Sequence, residues 1–246
     1  MLQQTAVQVI VAGRNLDLAR YVATTEFDRL ETAYIASVIQ MNWKALSFSD
    51  ATLTEFVQEL TDSQPLVFKE GKWNKVGWSA YQKFDFGRPF GKQDCVPMFM
   101  EELRMLPKLI PSLKETGFFV AGFNKLTDNL VIPLSLVLLN LSKKTAKPVG
   151  KLFHWSLNTF SKPPYGIVLM LTATGWKDEK PQTLQIKLSH EDSYLLTAVP
   201  VIACLLQYLD GSIHKPGLWY QANVVEPKQM LKDIERLGIT VEIQKS

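Results

Sequence analysis

Hydrophobic residues alternate with polar ones, or run together in short blocks, at several places that predict β-strands. The first block, Ala6 to Gly13, is rich in β-branched residues and ends at a glycine, as a buried parallel strand does. The block Glu31 to Gln40 also predicts a strand. Two further blocks, Tyr165 to Trp176 and Thr183 to Ser189, flank a polar stretch and predict a long hairpin.

The region between residues 65 and 123 changes character, because its apolar blocks are short and are separated by glycine and proline. Pro65 to Trp73 predicts a strand, a turn and a strand, and Ala80 to Phe86 alternates as a strand that leads into the loop Gly87 to Gly91. Pro97 to Leu106 predicts a helix that ends at Pro107. Gly117 to Phe123 predicts a short buried strand.

Helical spacing of apolar residues predicts several helices. Asn15 can cap a helix that begins at Leu16. The other predicted helices are Thr52 to Leu60, Thr127 to Leu141, Val149 to Phe160, Asp192 to Leu209 and Pro227 to Leu237. The most apolar run, Leu130 to Leu141, is shorter than the roughly 20 residues that span a bilayer, so we expect a buried core helix there. Ile239 to Ile243 predicts a last strand.

Strand–helix units of the parallel type are therefore predicted at the two ends of the chain, with antiparallel strands and helices between them. This arrangement is expected when an α+β domain is inserted into an α/β domain. We predict a fold of the α/β plus α+β class.

Charge and composition exclude several classes of function. The formal net charge of +3, from 27 Lys and Arg against 24 Asp and Glu, is too small to indicate a nucleic-acid partner. Two cysteines cannot form a disulfide framework, and the three histidines have no pair at metal-ligand spacing. The first residues also lack the features of a signal peptide. We therefore expect a cytoplasmic protein with no transmembrane segment and no metal site.

The common catalytic motifs are absent from the sequence. There is no Gly-x-Gly and no glycine–lysine pair followed by Ser or Thr, which excludes the dinucleotide fingerprint and the P-loop. His190-Glu191 lacks the second histidine of a zincin helix. Cys204 lies in an apolar helical run and is expected in the core, whereas Cys95 lies in a polar loop and is the better candidate for reactivity.

One positive feature is the sequence Gly13-Arg14-Asn15, which follows the first predicted strand and precedes a helix. In a dinucleotide-binding fold the end of the second strand meets the adenosine ribose. An arginine there suits the 2′-phosphate of NADP, because its planar fork pairs with phosphate oxygens. A solvent-facing arginine after an ordinary strand is the alternative.

Three segments resemble the saccharopine dehydrogenase-like family of NADP-binding oxidoreductases, and they occur in the family's order. VIVAGRNLDLA resembles the second strand and helix of the cofactor domain, and FDFGRPFGKQDCVPMFMEEL resembles the stretch in which a Phe–Pro–Gly loop precedes a helix. The part from Ser193 to Ile243 resembles the family's C-terminal part, with its Leu–Asp–Gly turn, its Pro–Gly pair and its final helix after Glu–Pro.

The resemblance implies hydride transfer between NADP(H) and an amino-acid-type substrate by a homodimer. It implies a remnant of a Rossmann-like parallel sheet over residues 1–30, an inserted mixed or antiparallel α+β domain for substrate and dimerisation over 31–190, and a C-terminal part, 191–246, that returns to the first domain. Gly13, Arg14 and Asn15 are the implied cofactor-binding residues. The family's glycine-rich turn and the middle of its cofactor sheet have no counterpart here, so we expect a truncated protein with weak or no NADP binding.

Arg88, Lys92 and Asp94 are the candidate substrate-binding residues, because they lie in or beside a loop rich in glycine and proline. The alternative is a solvated charged turn. No catalytic residue is assigned.

A non-catalytic interaction or dimerisation module derived from the same family is the alternative function. Its candidate surfaces are the edges of the long hairpin and a set of aromatic residues that otherwise form a core: Trp73, Trp78, Tyr81, Phe84, Phe86 and Phe90.

Overall fold

The structure, a computed structural model, describes residues 25–62, 65–77, 80–142, 145–217 and 219–246. The strands of this part of the chain are β1 (Arg29–Gln40), β2 (Leu66–Lys69), β3 (Lys72–Lys75), β4 (Gln82–Asp85), β5 (Lys92–Met98), β6 (Glu115–Ala121), β7 (Gly166–Lys177), β8 (Lys180–His190) and β9 (Thr240–Lys245). Its helices are α1 (Asp50–Asp62), α2 (Leu106–Leu109), α3 (Ile132–Leu141), α4 (Ala146–Phe160), α5 (Ser193–Leu209) and α6 (Pro227–Arg236).

All of these strands join one open, mixed sheet, in the order β3-β2-β6-β1-β7-β8-β9, with β5 beside β6 and β4 beside β5. The described strand pairs are antiparallel except for β1 and β6, which are parallel neighbours. The fold is therefore mixed α/β with a mostly antiparallel sheet. The only parallel pair among the described strands creates one edge where two carboxyl strand ends lie side by side.

One face of the sheet packs against helices α5 and α6. Because side chains alternate along a strand, every second residue of β7 and β8 points to this face, and Leu169, Leu171, Ile186 and Leu188 are buried there. The helices contribute apolar side chains such as Leu196 and Ile234 to the same core. This is the larger of the two cores that cover the sheet.

The other face is covered by the hairpin of β4 and β5. Ala36, Val38, Val168 and Met170 point to this face and contact a core to which the hairpin contributes Phe84, Phe86 and Cys95. The Lys187 ammonium group donates a hydrogen bond to the Phe86 carbonyl at 3.4 Å, which joins the hairpin to β8. The hairpin therefore lies over the middle of the sheet.

Helices α1 and α4 pack together with the segments that follow β1 and β6. Their core includes Trp43, just after β1, and Phe153 and Leu157 of α4. Phe123, just after β6, contacts the ring of Phe153 with centroids 5.4 Å apart. This helical group packs beside the end of the sheet at which β1 and β6 stop.

Most of the predicted elements are confirmed. The strand from Glu31 and the hairpin between Tyr165 and Ser189 are β1, β7 and β8, and Asp178 and Glu179 form the turn with positive φ angles of 49° and 61°. The helix from Asp192 is α5, which the Asp192 side chain caps by accepting from the Tyr194 N–H at 2.8 Å. The N-terminal strand to Gly13 and its helix lie outside the described residues.

Three predictions about secondary structure and pairing are wrong. The helix predicted over Pro97 to Leu106 starts too early, because Pro97 lies in β5, which pairs with β6 there, and only Glu101–Met105 form a 3-10 helix. Pro107 lies in the first turn of α2 rather than at a helix end. The hairpin of β7 and β8 offers no free edge, because β1 and β9 pair with its outer sides. The last strand, β9, is antiparallel to its neighbour and not parallel.

Helix α3 corrects the expectation of a buried core helix. Val131 and Ser135 are buried, but Leu134, Val137 and Leu141 are exposed. The hydrophobic run therefore predicted the presence of a helix correctly, but the prediction that this helix is buried is wrong. Among the described residues, no helix combines the length and apolar character that crossing a membrane requires.

Candidate functional site at the carboxyl-end edge of β1 and β6

The parallel strands β1 and β6 end beside each other, at Gln40 and Ala121. Their register pairs Ser37 with Val120, so both carboxyl ends reach the same edge of the sheet. In open α/β sheets, ligands bind outside the carboxyl ends of parallel strands. We call this place the carboxyl-end edge and describe its polar groups first.

The polar centre of the carboxyl-end edge is Asp128, in the turn that follows β6. Its Oδ1 atom accepts a hydrogen bond from the Phe123 N–H at 3.0 Å, and its own N–H donates to the Asn124 carbonyl at 2.9 Å. The Asn124 side chain accepts from the Thr127 N–H at 2.9 Å. These bonds fold the chain back on itself between β6 and α3.

Burial raises the pKa of Asp128 to about 6, although hydrogen bonds from the backbone N–H groups of Phe123 and Asn124 oppose the shift. No lysine or arginine among the described residues forms an ion pair with this carboxyl group. With this pKa the Asp128 carboxyl group can gain or lose a proton near pH 6, which suits a general acid or base.

Two local features accompany this carboxyl group. Residues Thr127–Val131 form a π-helical turn, a rare conformation that occurs frequently at functional sites. The Nδ2 atom of Asn124 is buried and has no hydrogen-bond partner among the described residues. Buried polar groups normally have hydrogen-bond partners. An unpaired Asn124 Nδ2 donor in the same turn as the Asp128 carboxyl group is therefore consistent with a binding site.

Gly122 is required by the close approach of Asp128. A Cβ atom at this position would lie 2.2 Å from Asp128 Oδ2 and 2.7 Å from its Cγ, far inside van der Waals contact. The Thr127 hydroxyl donates to the Ser156 hydroxyl at 3.0 Å, which donates in turn to the Phe153 carbonyl at 2.7 Å. The turn is thus held by β6 on one side and by α4 on the other.

The predicted substrate-binding residues Arg88, Lys92 and Asp94 belong to the hairpin of β4 and β5. All three are exposed. Because Cys95 pairs with Ala121 in an antiparallel register, β5 begins at the end of the sheet where β6 stops. The register therefore places Lys92 and Asp94 near the carboxyl-end edge, whereas Arg88 lies in the loop before β5, next to Gly87, which approaches the Lys187 ammonium group of β8.

The hairpin arranges its charges in cross-strand pairs. Asp94 lies opposite Lys83, with 3.9 Å between the Lys83 Nζ and the Asp94 Oδ1 atoms, and Lys92 lies opposite Asp85. Such exposed pairs contribute little to stability. Arg88 lies in the loop between the strands, beyond the paired positions.

The tip of the hairpin reaches the end of β1. A Cβ atom on Gly166 would lie 3.4 Å from the Phe90 ring, and Gly166 pairs with Gln40, the last residue of β1. The hairpin and both parallel strands therefore meet at the same edge.

A second polar cluster lies at the opposite end of β6. Glu115 accepts a short hydrogen bond from the Tyr34 hydroxyl and lies 3.1 Å from the Lys69 ammonium group. The Tyr34 hydrogen bond and the Lys69 contacts lower the pKa of Glu115, while burial raises the pKa of Tyr34. Glu115 is therefore ionised and Tyr34 neutral at neutral pH, which is the arrangement of a structural contact.

The environment of Cys95 differs from the prediction, whereas that of Cys204 agrees with it in part. Cys95 is fully buried in β5, and burial raises the pKa of its thiol to about 12, so it is not the reactive residue that its polar neighbours suggested. Cys204 is partly buried and packs against the main core from α5. Of the aromatic residues proposed for an interface, Phe84 and Phe86 are buried in the core, Tyr81 is exposed, and Trp78 lies outside the described residues.

The predicted cofactor residues Gly13, Arg14 and Asn15 also lie outside the described residues, and their role stays a prediction. In the part of the chain that the structure describes, no group of three His, Cys, Asp or Glu residues is arranged to hold a metal ion.

Sequence reasoning missed Asp128 and Asn124. The available signal was a lone acid between a buried strand and a long apolar run, four residues after an asparagine. Polar residues at such a strand-to-helix turn commonly cap the helix, so the pattern alone does not separate a cap from a site.

Comparison with known proteins leaves the function open, because no protein-family model and no curated protein matches this chain.

Proposed function

We propose that this chain is a saccharopine dehydrogenase-like oxidoreductase that binds an amino-acid-type substrate at the carboxyl-end edge. The observation that carries the proposal is Asp128, an acid with a pKa of about 6 at the edge where open sheets bind ligands. The order of elements is consistent with it. The loop Gly87 to Gly91 precedes β5, α5 ends before Asp210-Gly211, and Glu226 caps α6.

The charges at this edge suit an amino acid. Arg88 and Lys92 offer cationic groups to a carboxylate, and an arginine can hold it with two parallel hydrogen bonds. Asp94 and the ionised form of Asp128 offer negative charge to an ammonium or secondary amine.

In this proposal Asp128 is the residue that accepts and donates the proton of the reaction. NADP, when bound, supplies the hydride acceptor or donor for such a reaction. Oxidation of an amine to an imine releases one proton from nitrogen, and the Asp128 carboxylate can take it at Oδ2, since Oδ1 accepts from the Phe123 N–H. A pKa of about 6 lets the same group return the proton in the reverse direction.

The proposal includes a Rossmann-like remnant over residues 1–30, with Gly13, Arg14 and Asn15 near the 2′-phosphate of NADP. A single arginine replaces neither the several backbone N–H groups nor the helix dipole that hold a pyrophosphate. We therefore expect calorimetry to show NADPH affinity weaker than micromolar for this chain. A micromolar dissociation constant for NADPH would contradict the expectation that this chain binds the cofactor weakly.

The substrate proposal is tested by calorimetric titration with L-glutamate, which carries two carboxylates and an ammonium group. Replacing Arg88 by Ala removes a charged hydrogen-bond donor, so the affinity should fall by about tenfold or more. Arg236→Ala is the matched control, since Arg236 is an exposed arginine of α6 that pairs with Asp233 at 3.3 Å. Unchanged affinity in Arg88→Ala, or no binding by the wild-type chain, would contradict the proposal.

A second candidate function, a non-catalytic dimerisation module, is favoured by a different observation. Helix α5 has no charged residue along its 17 positions, although much of its surface is exposed. Large apolar patches on a soluble surface mark interaction sites.

A further inference from the structure

Asn124 lies immediately before a helical run that begins at Lys125, includes the π-helical turn Thr127–Val131 and continues as α3. Its Oδ1 atom accepts a hydrogen bond from the Thr127 N–H at 2.9 Å, which is the contact of an N-terminal helix cap. This contact fixes the orientation of the amide, because only its oxygen can accept from an N–H group. The Nδ2 donor is therefore on the side of the amide away from the Thr127 N–H.

Helix capping accounts for only half of the Asn124 side chain. Serine and aspartate cap a helix about as well as asparagine does, so the cap needs the oxygen and not the amide nitrogen. Nδ2 is buried and has no hydrogen-bond partner among the described residues. The neighbouring Asn129 differs, since its Nδ2 atom donates to the Lys125 carbonyl at 2.8 Å. The Asn124 donor is thus placed where a ligand acceptor can use it.

Asp128 supplies the opposite polarity in the same turn. Its N–H donates to the Asn124 carbonyl at 2.9 Å, and its Oδ1 atom accepts from the Phe123 N–H at 3.0 Å. These two bonds hold both side chains in one turn between β6 and α3. The turn therefore combines a buried donor with a carboxyl group that forms no ion pair with a lysine or arginine in the described ranges.

We infer that Asn124 determines the substrate class of the carboxyl-end edge, because its Nδ2 group donates to the α-carboxylate of an amino acid whose ammonium group lies at Asp128. This inference rests on the proposed function and specifies the substrate of the same site. In an α-amino acid a single carbon atom separates the carboxylate from the ammonium group, so one turn can contact both. The site then selects α-amino acids against amines that lack the α-carboxylate.

The position of Asn124 also favours an anion. The N-terminus of a helix carries partial positive charge, and negatively charged groups are stabilised beside it. Asn124 is at this end of the helical run, and the exposed Lys125 follows it. With the α-carboxylate at Asn124, the hairpin cations Arg88 and Lys92 remain available for a second carboxylate, such as that of the glutamate side chain.

The test uses two ligands that differ only in the α-carboxylate, L-glutamate and γ-aminobutyrate. Both carry an amine and a distal carboxylate. Calorimetry on the wild-type chain should show tighter binding of L-glutamate by about tenfold or more, since a hydrogen bond to a charged group is lost with γ-aminobutyrate. Equal affinities would overturn the inference.

Asn124→Ser separates capping from binding. Serine retains an oxygen that can accept from the Thr127 N–H, and it removes the amide donor. The affinity for L-glutamate should fall by about tenfold, whereas that for γ-aminobutyrate should not change. A purely structural role of Asn124 would weaken both ligands equally. Asn129→Ser is the matched control, because it replaces an exposed asparagine of the same helical run and should leave both affinities unchanged.

A second measurement keeps the wild-type fold. The side-chain amide signal of Asn124 in a proton–nitrogen NMR spectrum is assigned by its absence from Asn124→Ser or, if that variant does not fold, from Asn124→Asp. Saturation with L-glutamate should shift this signal, and γ-aminobutyrate should leave it in place. An amide signal that L-glutamate does not shift would overturn the inference.

The outcomes separate this inference from the proposed function. If the wild-type chain binds L-glutamate and Arg88→Ala weakens that binding, the proposed function stands. An unchanged ratio of the two affinities in Asn124→Ser then removes only the role of Asn124. A wild-type chain that binds neither ligand overturns both.

Discussion

Two carboxyl groups lie at the two ends of strand β6, and their surroundings shift their pKa values in opposite directions. Glu115, at the start of β6, contacts the Lys69 ammonium group and the Tyr34 hydroxyl, and its pKa is lowered. Asp128, just after the end of β6, has only backbone N–H groups to oppose its burial, and its pKa is raised to about 6. Glu115 is therefore a charged group that stabilises the structure, whereas Asp128 is a group that can exchange a proton.

The comparison also explains why only one end of β6 is a candidate site. At the Glu115 end, the carboxylate already has a cation and a hydrogen-bond donor, so a ligand would have to displace them. At the Asp128 end, a buried donor on Asn124 is unpaired within the described residues, and β1 and β6 end side by side.

The largest effect is expected from Gly122→Ala, which should break the Asp128 end. The added methyl group would lie 2.2 Å from Asp128 Oδ2, so the carboxyl group has to move and lose its bond to the Phe123 N–H. We expect a loss of about 1–3 kcal/mol in the free energy of unfolding, measured in urea. In an Asp128→Ala background the same substitution should cost much less. Equal costs in both backgrounds would disprove the contact.

The next effect is a pH-dependent gain from Asp128→Asn. The folded pKa of about 6 exceeds the ordinary value of 3.8, so the wild-type group favours folding at low pH, and this contribution is lost as the pH rises through 6. Asparagine avoids the buried charge and can still accept from the Phe123 N–H. We expect Asp128→Asn to be more stable than wild type by about 1–2 kcal/mol at pH 8, after allowing for partial exposure.

This gain should be much smaller at pH 4, because the folded-state carboxyl group is then protonated and the unfolded-state group is close to its own pKa of 3.8. Urea unfolding at pH 4, 6 and 8 measures the trend. A gain of the same size at all three pH values would show that the raised pKa is not its cause.

Glu115→Gln should show the opposite sign. The folded pKa of Glu115 lies below the ordinary value of 4.5, so its contribution is present above pH 4.5 and is lost as the pH falls through the folded pKa. We expect a cost of about 0.5–1 kcal/mol at pH 7 that disappears in acid, again by urea unfolding. A cost that persists at low pH would assign the effect to packing instead of charge.

The smallest effect is expected from Lys69→Met, which leaves the Tyr34 hydrogen bond to Glu115 in place. The Lys69 side chain is 57% exposed, so the pair should contribute about 0.5 kcal/mol and less at high salt. Thermal unfolding at low and at 1 M salt measures it. Lys83→Met, which removes the exposed pair with Asp94, is the matched control.

The sequence predicted the elements of this fold better than their pairing. Alternation identified β1, β7 and β8, and helical spacing of apolar residues identified the helices from Asp192 and Pro227, because these signals are local. The pairing of Pro97 within β5 depends on a neighbouring strand, β6, that is distant in sequence. A local pattern does not contain that information.

The burial of Cys95 and the raised pKa of Asp128 also could not be predicted from the neighbouring residues in the sequence. Cys95 sits among polar neighbours in sequence, yet Phe119 and Phe84 share its buried core. Asp128 looked like one more polar turn residue, and its pKa depends on a fold that brings β6, α3 and α4 together around it. Arg88, Lys92 and Asp94 could be proposed from the sequence because a loop rich in glycine and proline is a local signal, and their role in substrate binding stays a prediction.

The most direct test of the candidate site is a carbon-detected NMR titration of the side-chain carboxyl groups of the wild-type chain, with Asp128→Asn and Glu115→Gln used to assign the two signals. Asp128 should titrate near pH 6 and Glu115 below pH 4.5. An Asp128 signal that titrates at or below its ordinary value of 3.8 would contradict the site proposed at the carboxyl-end edge.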